Sequence, residues 1–308
     1  MALRQFVQRE AFRSRLKPYV PRRLWVGARR TASYMKRLLT WVAVLREVRG
    51  RSPADRAILN RSARQAVRNA MRDLDRWQDP ILAADARVTV DGVGDFDLRA
   101  LSDDLHHVLP SREPRIVESM RRALRPGTTF VDAGSNVGFY AILASRLVGP
   151  SGRVIAIEMM PDTAERLRLH CRLNHAANVE VVELALSDRK DGEVVATVTE
   201  GKFGQASIAR PDQSGPVRKV KVRRGTLDDI MAGVPGPIAL LKMDLEGAEL
   251  NACRGAPAVL HRTETIVYEQ VGAATDVDDL LAGAGFQLAQ LDGRNRIASK
   301  PVAKLDRP

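Results

Sequence analysis

The chain has 308 residues, 44% of them hydrophobic, which is enough for one large domain with an extension or for two modest domains. Its formal net charge of +12 is concentrated at one end, since residues 1–80 carry 20 Lys and Arg against 6 Asp and Glu, whereas residues 81–308 carry 29 against 31. Two cysteines without metal-ligand spacing exclude a disulfide framework and a zinc site, and they suit a reducing compartment.

Residues 1–84 are predicted to form a basic helical extension that holds all three tryptophans, Trp25, Trp41 and Trp77. Within Tyr34–Val48, apolar side chains recur at helical spacing, at Leu38, Trp41, Val42 and Leu45. No apolar run here is long enough to cross a bilayer, and no secretory signal pattern begins at Met1.

The extension has several interpretations. We expect a cytoplasmic protein. Its residues 1–80 are expected to make peripheral contact with an anionic membrane surface or with an acidic partner. An equally good interpretation is a helical cap that packs on the following domain or on a second subunit. The Arg-rich, acid-poor start also resembles an organellar transit peptide, which is a minor alternative.

Residues 85–308 are predicted to form an α/β domain. A hairpin at Arg87–Leu98 and a helix at Pro114–Leu124 come first. Apolar strands then alternate with amphipathic helices, which predicts a mostly parallel sheet covered on both faces. The predicted strands are Thr128–Asp132, Val154–Glu158, Val179–Leu186, Ile238–Asp244 and Thr265–Gln270, and the helices start near Val137, Asp162, Gly247 and Asp276.

Two features interrupt this alternation. A β-rich insertion at about 187–237 carries two strands and a capped helix, at Glu193–Thr197, Val217–Val222 and Thr226. At the other end, Asp292-Gly293 separates two short apolar segments and predicts an antiparallel hairpin. A parallel sheet that finishes in such a hairpin is usual for methyltransferases of Rossmann-like fold and unusual for nicotinamide-binding proteins.

A cofactor loop is predicted at Asp132–Gly138, where the first strand of the sheet meets a helix. Gly134 lets the backbone turn tightly and approach a ligand, and the free N–H groups at the helix start attract a carboxylate. The spacing from Gly134 to Gly138 is not that of a dinucleotide site, and Asp132 adds a carboxylate. The loop therefore suits S-adenosylmethionine, which carries an amine and a carboxylate, although glycines that only permit close strand–helix packing are the alternative.

Further candidates lie at the ends of the next strands. Glu158 ends the second strand 24 residues after Gly134, where an acidic side chain can accept hydrogen bonds from ribose hydroxyls. Ala185 and Leu186 end the third strand and are either part of an adenine pocket or simple core residues. On the fourth strand, Lys242 and Asp244 point to the same side at the edge where ligands bind in open α/β sheets, and Glu246 follows.

Several of these segments together resemble the FkbM family of methyltransferases, in family order over about residues 115–272. They read FVDAGSNVGFY, VIAIEMMP, VVELALSD, GQAS at Gly204–Ser207, TLDDI and LLKMDLEGAELNACRGA. The Lys242–Glu249 block, read with Gly255, is the most specific part, because many methyltransferases share the glycine loop. The resemblance implies a class I methyltransferase fold, S-adenosylmethionine as donor, and O-methylation of a sugar or natural-product hydroxyl.

Carried over by position, the resemblance implies that Asp132, Gly134, Asn136 and Glu158 hold the cofactor and that Asp244 and Glu246 face the acceptor. An alcohol acceptor benefits from a base, for which Asp244 is the first candidate, Glu246 the second and Glu269 the third, with Lys242 completing the catalytic group. A carboxylate near a sulfonium stays ionised, so an orienting role for Asp244 is nearly as well supported.

We expect no metal. Three histidines, His106, His107 and His170, are predicted to lie away from the carboxylates as structural or surface residues. Glu249 is either a functional carboxylate or a residue that only favours the start of its helix.

The runner-up function is an RNA methyltransferase that grips phosphates with the basic extension. Against it, the sequence has neither the Asn/Asp-Pro-Pro-aromatic motif of base-amine methylation nor a catalytic Pro-Cys. A third hypothesis is a degenerate domain that only binds a partner through its extension. Nicotinamide-dependent reduction conflicts with the glycine spacing and with the terminal hairpin.

Overall fold

The structure is a computed structural model that describes residues 22–72, 79–209, 216–270 and 276–301. Trp77 and the side chain of Trp25 lie outside the described residues, as does the chain start that was compared with a signal or transit peptide. Within the described ranges, no helix combines the length and the apolar character needed to cross a membrane.

The first part of the chain forms two helices and three strands. They are α1 (Arg22–Glu47), β1 (Val48–Gly50), α2 (Pro53–Arg72), β2 (Ala86–Val90) and β3 (Gly94–Leu98). The predicted hairpin is confirmed as β2–β3, and β1 pairs antiparallel with β2, so the extension contributes a third strand to it. Trp41 and Val44 of α1 lie in the same hydrophobic core as Phe96 and Ile142. The helices are thus anchored on the α/β domain, while the boundary between residues 84 and 85 stays a prediction.

The apolar residues of α1 are divided between two environments. Trp41 and Val44 are buried, whereas Val42 and Leu45 are 40% and 46% exposed. Periodicity alone places Trp41 and Val42 on one broad stripe, but only one edge of α1, from Ser33 to Val44, is buried. The remainder of the stripe faces outward.

The rest of the chain alternates strands and helices. Its helices are α3 (Asp104–His107), α4 (Pro114–Ala123), α5 (Phe139–Val148), α6 (Pro161–Leu173), α7 (Leu227–Met231), α8 (Glu249–Arg254), α9 (Pro257–Arg262) and α10 (Asp276–Gly283), with a 3-10 turn at Pro110–Arg112. Its strands are β4 (Thr129–Ala133), β5 (Arg153–Ile157), β6 (Val179–Val182), β7 (Ala185–Leu186), β8 (Glu193–Thr199), β9 (Lys202–Ser207), β10 (Val217–Gly225), β11 (Ile238–Met243), β12 (Thr263–Glu269), β13 (Gln287–Gln290) and β14 (Asn295–Ser299).

The central sheet has the strand order β13-β14-β12-β11-β4-β5-β6 among the described residues. Strands β12, β11, β4, β5 and β6 are parallel, and β14 is antiparallel to both of its neighbours. Apolar side chains on its two faces form separate cores, one of which extends to the hairpin and α1. The predicted parallel sheet with a terminal antiparallel hairpin is confirmed, and its architecture is that of a class I methyltransferase.

The third predicted strand is wrong in its extent. The chain leaves the central sheet after Val182, and the Leu184 N–H donates to the carbonyl of Glu158. Ala185 and Leu186 then pair with β10 in a second sheet of order β7-β10-β8-β9. The stretch from Val179 to Leu186 has strand-forming residues on both sides of Glu183, so its local pattern does not reveal this change of partner.

The insertion contains one strand more than predicted. Strands β8 and β10 confirm the two expected strands, and Thr226 caps α7 by accepting the Asp229 N–H at 3.2 Å. Strand β9 was missed because Lys202–Ser207 is half polar and contains Gly204, which weakens a strand signal. It pairs antiparallel with β8.

Candidate active site

A cavity opens at the carboxyl ends of β4, β5 and β11. Eight of the ten residues predicted for the site line it, namely Gly134, Asn136, Glu158, Ala185, Leu186, Lys242, Asp244 and Glu246. Asp132 and Gly138 do not line it. The convergence follows from the fold, since parallel strands present their carboxyl ends at one edge of the sheet.

Glu158 is held at the end of β5 by two main-chain donors. Its Oε2 accepts the Asn136 N–H and its Oε1 accepts the Met160 N–H, each at 2.9 Å. Burial raises the pKa of Glu158 to about 7, and these two N–H groups offset only part of that effect. Each carboxylate oxygen keeps a lone pair for a hydroxyl group on a ligand.

Asn136 lies between Glu158 and the insertion in a strained conformation. Its φ of +47° is left-handed, which is uncommon for a residue other than glycine. Both side-chain polar atoms, Oδ1 and Nδ2, are buried and have no hydrogen-bond partner among the described residues. An amide left without partners is costly by about 1–3 kcal/mol, so this side chain is positioned for a polar ligand.

The two glycines of the loop, Gly134 and Gly138, are required for different structural reasons. Gly138 has a φ of +89° and precedes α5, and a Cβ there would lie 2.2 Å from Leu167 Cδ1. It therefore permits close packing of α5 on α6, the structural alternative for this loop. Gly134 lines the cavity, but its close contact is with the main chain of Asp244, directly after β11. Helix α5 begins at Phe139, two residues after the expected Val137, because Gly138 is left-handed.

Lys242 links β11 to β4 at the base of the cavity. It belongs to β11, whose six residues are all buried, and its Nζ lies 3.4 Å from Asp132 Oδ1 and 3.8 Å from Asp244 Oδ2. The same ammonium lies 4.9 Å from the centre of the Tyr140 ring. Burial alone would lower the pKa of Lys242, but the two carboxylates raise it above its ordinary value. Lys242 is thus a buried cation that lines the cavity. Asp132 does not line the cavity itself, but its charge helps to keep Lys242 protonated.

Three carboxylates meet on the side of the cavity next to Lys242. Oxygens of Asp244, Glu246 and Glu269 all lie within 4.8 Å of one another. Burial would raise the pKa of Asp244, but Lys242, Arg112 and His107 outweigh it and hold the pKa below its ordinary value. Arg294 forms a short ion pair with Glu269. These cations already balance part of the negative charge, and the absence of a metal stays a prediction.

The prediction for His107 was wrong. His107 lines the cavity, and its Nε2 lies 3.3 Å from Asp103 Oδ2. Asp103 also accepts the N–H groups of Phe203 and Gly204, each at 3.0 Å, which fixes β9 against this pair. A Cβ at Gly204 would lie 2.2 Å from His107 Nε2 and 2.6 Å from Asn136 Nδ2, so β9 packs directly on the cofactor loop. The insertion therefore forms one wall of the cavity.

The other two histidines, His106 and His170, do not line the cavity, in agreement with the prediction that they lie away from the carboxylates. Burial lowers the pKa of His106 to about 4, so it is neutral at pH 7. His170 is fully buried, and its Nε2 accepts the Asp97 N–H at 2.9 Å, which leaves Nδ1 to donate to the Val137 carbonyl at 2.7 Å. It thereby joins β3 to the cofactor loop. Glu249 also has a structural role, since its Oε1 accepts the Leu245 N–H at 2.8 Å.

A second group that sequence reasoning missed precedes the parallel sheet. Arg112 lines the cavity and pairs with Glu113 at 3.0 Å. The Tyr140 hydroxyl donates to Glu113 Oε2 at 2.7 Å, and Asn295 Nδ2 donates to Glu113 Oε1 at 3.3 Å. The only available signal was Tyr140 in the loop motif, because the other residues come from distant segments of ordinary composition.

The fold and site define a class, that of the S-adenosylmethionine-dependent methyltransferases. The profile of the Methyltransferase FkbM domain matches residues 132–288, which is half of the chain. The chain belongs to this family, and S-adenosylmethionine is its cofactor.

Comparison with curated proteins gives partial matches. Methyltransferase 1 of Beauveria bassiana is 27% identical over 143 residues, 41% of this chain and 57% of that protein. The arsenite methyltransferase of Halobacterium salinarum is 43% identical over 58 residues, 19% of this chain and 15% of that protein. The chain thus spans less than two thirds of the length of these relatives.

Similar solved structures are also methyltransferases. The FkbM methyltransferase of Methylobacillus flagellatus superposes with a TM-score of 0.40 and 17% identity, covering 64% of this chain and 54% of that one. The precorrin-6y C5,15-methyltransferase of Geobacter metallireducens superposes with a TM-score of 0.40 and 19% identity, covering 62% of this chain and 89% of that one.

Proposed function

We propose that this protein transfers a methyl group from S-adenosylmethionine to a hydroxyl of a sugar, a glycolipid or another natural product. The observation that carries the proposal is the cluster of Asp244, Glu246 and Glu269, which adjoins the cavity that Asn136 and Glu158 line. Carboxylate oxygens at this spacing can accept hydrogen bonds from neighbouring hydroxyls of a polyol.

The cavity fits the chemistry of the cofactor. Glu158 offers lone pairs to the ribose hydroxyls, and Asn136 offers an unused donor and acceptor to the amine and carboxylate. Ala185 and Leu186 provide an apolar wall for the adenine ring. Bound there, S-adenosylmethionine supplies a methyl group on a positively charged sulfur.

The chain's own contribution is to position the acceptor and to receive its proton. Asp244 stays ionised beside Lys242, so it can accept a hydrogen bond from the acceptor hydroxyl and orient it. Its lowered pKa makes it a weak base. Glu246 and Glu269 lie close enough to Asp244 to take up the proton that the acceptor hydroxyl would release, and Lys242 keeps Asp244 in place.

The RNA alternative has less support. The acceptor side of the cavity presents three carboxylates, which repel a phosphate backbone, although Arg112 and Arg294 lie nearby. For residues 1–80 we propose contact with an anionic surface from the cytoplasm, as their excess of 14 positive charges favours.

Calorimetric titration with S-adenosylhomocysteine tests the cofactor site. We expect micromolar binding that Glu158→Ala weakens by at least tenfold, because the ribose loses its acceptor. Glu183→Ala is the matched control, since Glu183 pairs with Arg168 near the same sheet edge and does not line the cavity. Absence of binding to the unaltered protein would support a degenerate domain instead.

Transfer of labelled methyl from S-adenosylmethionine tests the acceptor class. Hydroxylated sugars and a glycolipid extract are the candidates, and RNA is the comparison. Asp244→Asn should abolish transfer to a sugar while leaving S-adenosylhomocysteine binding within about threefold, because Asp244 faces the acceptor side. If RNA were labelled and the sugars and glycolipids were not, RNA methylation would become the better supported function.

A further inference from the structure

The outward face of α1 and α2 combines apolar and basic side chains in an ordered way. Four apolar residues of α1 are between 40% and 62% exposed, and their spacing of four, three and three positions puts them on one side of the helix: Met35, Leu39, Val42 and Leu45. Between α1 and α2, an apolar groove is lined by Leu38, Trp41, Val42, Leu45, Ala63 and Val67, with Arg64 and Arg68 at its edge.

Helix α2 carries a row of arginines beside this groove. Four exposed arginines follow one another at intervals of three or four positions, so they share one side of α2: Arg61, Arg64, Arg68 and Arg72. Residues 22–72 contain 14 Lys and Arg but only two acidic residues. Both of these are engaged elsewhere, Glu47 by Ser111 and Asp55 by Ser52 and the Arg87 N–H. No carboxylate in the described part of the chain forms an ion pair with the arginine row.

We infer that this face, the outward side of α1 with the arginine row of α2, docks on an anionic lipid bilayer. An amphipathic helix lies in the bilayer interface with its apolar side among the acyl chains and its cationic side chains on the headgroups, which matches this face. Trp41 and Val44 anchor α1 in the core, so the helix is presented as a rigid element. The inference rests on the contact with an anionic surface proposed above for residues 1–80, to which it assigns a face and a lipid partner, and it is independent of methyl transfer.

The face is less suited to the other occupants. Base stacking by RNA requires exposed aromatic rings, whereas Trp41 is 3% exposed and the large apolar side chains that are exposed in the described part of this face are Met35, Leu39, Val42 and Leu45. Self-association would bring together two copies that each carry a net charge of +12 in residues 22–72. An anionic bilayer satisfies both the aliphatic row and the arginines.

Vesicle sedimentation of the full chain tests the inference. The protein should bind vesicles of phosphatidylcholine that contain phosphatidylglycerol and should not bind phosphatidylcholine alone. The triple variant Arg61→Gln, Arg64→Gln, Arg68→Gln should bind about 100-fold more weakly, and Leu39→Ser about tenfold more weakly. These side chains are exposed, so melting temperature and circular dichroism should not change.

The matched control removes three exposed arginines elsewhere, with Arg146→Gln, Arg189→Gln and Arg254→Gln. It should retain binding within about threefold, which separates a local face from total charge. Equal binding to neutral vesicles, or equal loss in the control, overturns the inference. It is also overturned if Leu39→Ser dissociates a dimer, or if single-stranded RNA binds through the same arginines and displaces the vesicles. Vesicle sedimentation uses no S-adenosylhomocysteine. Failure of the membrane inference can therefore be distinguished from failure of the proposed cofactor site.

Discussion

Gly134 lies against the main chain of Asp244, so that a Cβ at Gly134 would be 2.0 Å from the Asp244 carbonyl oxygen. The Asp244 N–H also donates to the Ala133 carbonyl at 3.0 Å. The cofactor loop and the first candidate for acceptor contact are therefore joined through their main chains. The φ of +81° at Gly134 independently disfavours any side chain there.

Gly134→Ala should disturb both halves of the site at once. The added carbon pushes the end of β11 away from β4 and forces alanine into a left-handed conformation, so we expect a loss of about 3 kcal/mol in unfolding free energy and a parallel loss of S-adenosylhomocysteine affinity. Urea denaturation and calorimetry measure the two effects. Gly233→Ala is the control, because nothing lies within 4 Å of its added carbon. Wild-type stability of Gly134→Ala would show that the contact relaxes without cost.

The affinity for S-adenosylhomocysteine should depend on the ionisation of Glu158. Its pKa of about 7 means that the carboxylate, the form proposed to accept the ribose hydroxyls, becomes protonated as the pH falls through 7. Binding should weaken by about tenfold between pH 8 and pH 6, measured by titration at each pH. Glu158→Gln cannot titrate and should bind weakly with a flat profile. A flat profile in the unaltered protein would contradict this assignment.

Without ligand, the same carboxyl should destabilise the protein at high pH. The pKa of Glu158 is raised in the folded state, so the protonated form favours folding and this contribution is lost as the pH rises through about 7. Glu158→Gln turns an amide donor toward one of the two main-chain N–H groups at any pH, so its stability relative to the unaltered protein should be better at pH 8 than at pH 5 by about 1–3 kcal/mol. Chemical denaturation at the two pH values checks the sign. An equal difference in unfolding free energy between the two proteins at pH 5 and at pH 8 would show that burial of this charge is not the cause.

Lys242 and Asp132 should depend strongly on each other. Lys242→Met leaves the Asp132 carboxylate buried without a cation, and we expect it to cost about 3–5 kcal/mol of stability. Adding Asp132→Asn should recover a large part of that loss, because the remaining amide is neutral. A double-mutant cycle in urea measures the coupling. Additive effects would mean that the 3.4 Å contact contributes no net interaction.

Asp103 should control the wall that β9 forms. Its carboxylate accepts two adjacent N–H groups, and Asp103→Asn places an amide donor against one of them. Amide exchange at Phe203 and Gly204 should become about 10–100 times faster, as measured by hydrogen exchange. Asp85→Asn is the control, because Asp85 accepts the Ala100 N–H elsewhere in the chain. Unchanged exchange at both amides would show that pairing with β8 alone holds β9.

Sequence alone determined the elements that depend on adjacent residues. The loop from Asp132 to Gly138, Glu158 at the second strand end, and Lys242 with Asp244 are all readable from strands followed by their own turns. Because the carboxyl ends of parallel strands meet at one edge, their proximity followed from the fold class. The roles of these residues in binding and catalysis stay predictions.

Tertiary structure decided the contacts between segments that are far apart in the chain. His107 and Arg112 line the site because α3 and the segment before α4 pack on β9 and α5, and no local pattern encodes those partners. Likewise, the period of α1 shows where apolar residues recur, but only the shape of the core selected Trp41 for burial and left Leu45 exposed. Periodicity specifies a spacing, whereas burial depends on which surface a neighbouring element can cover.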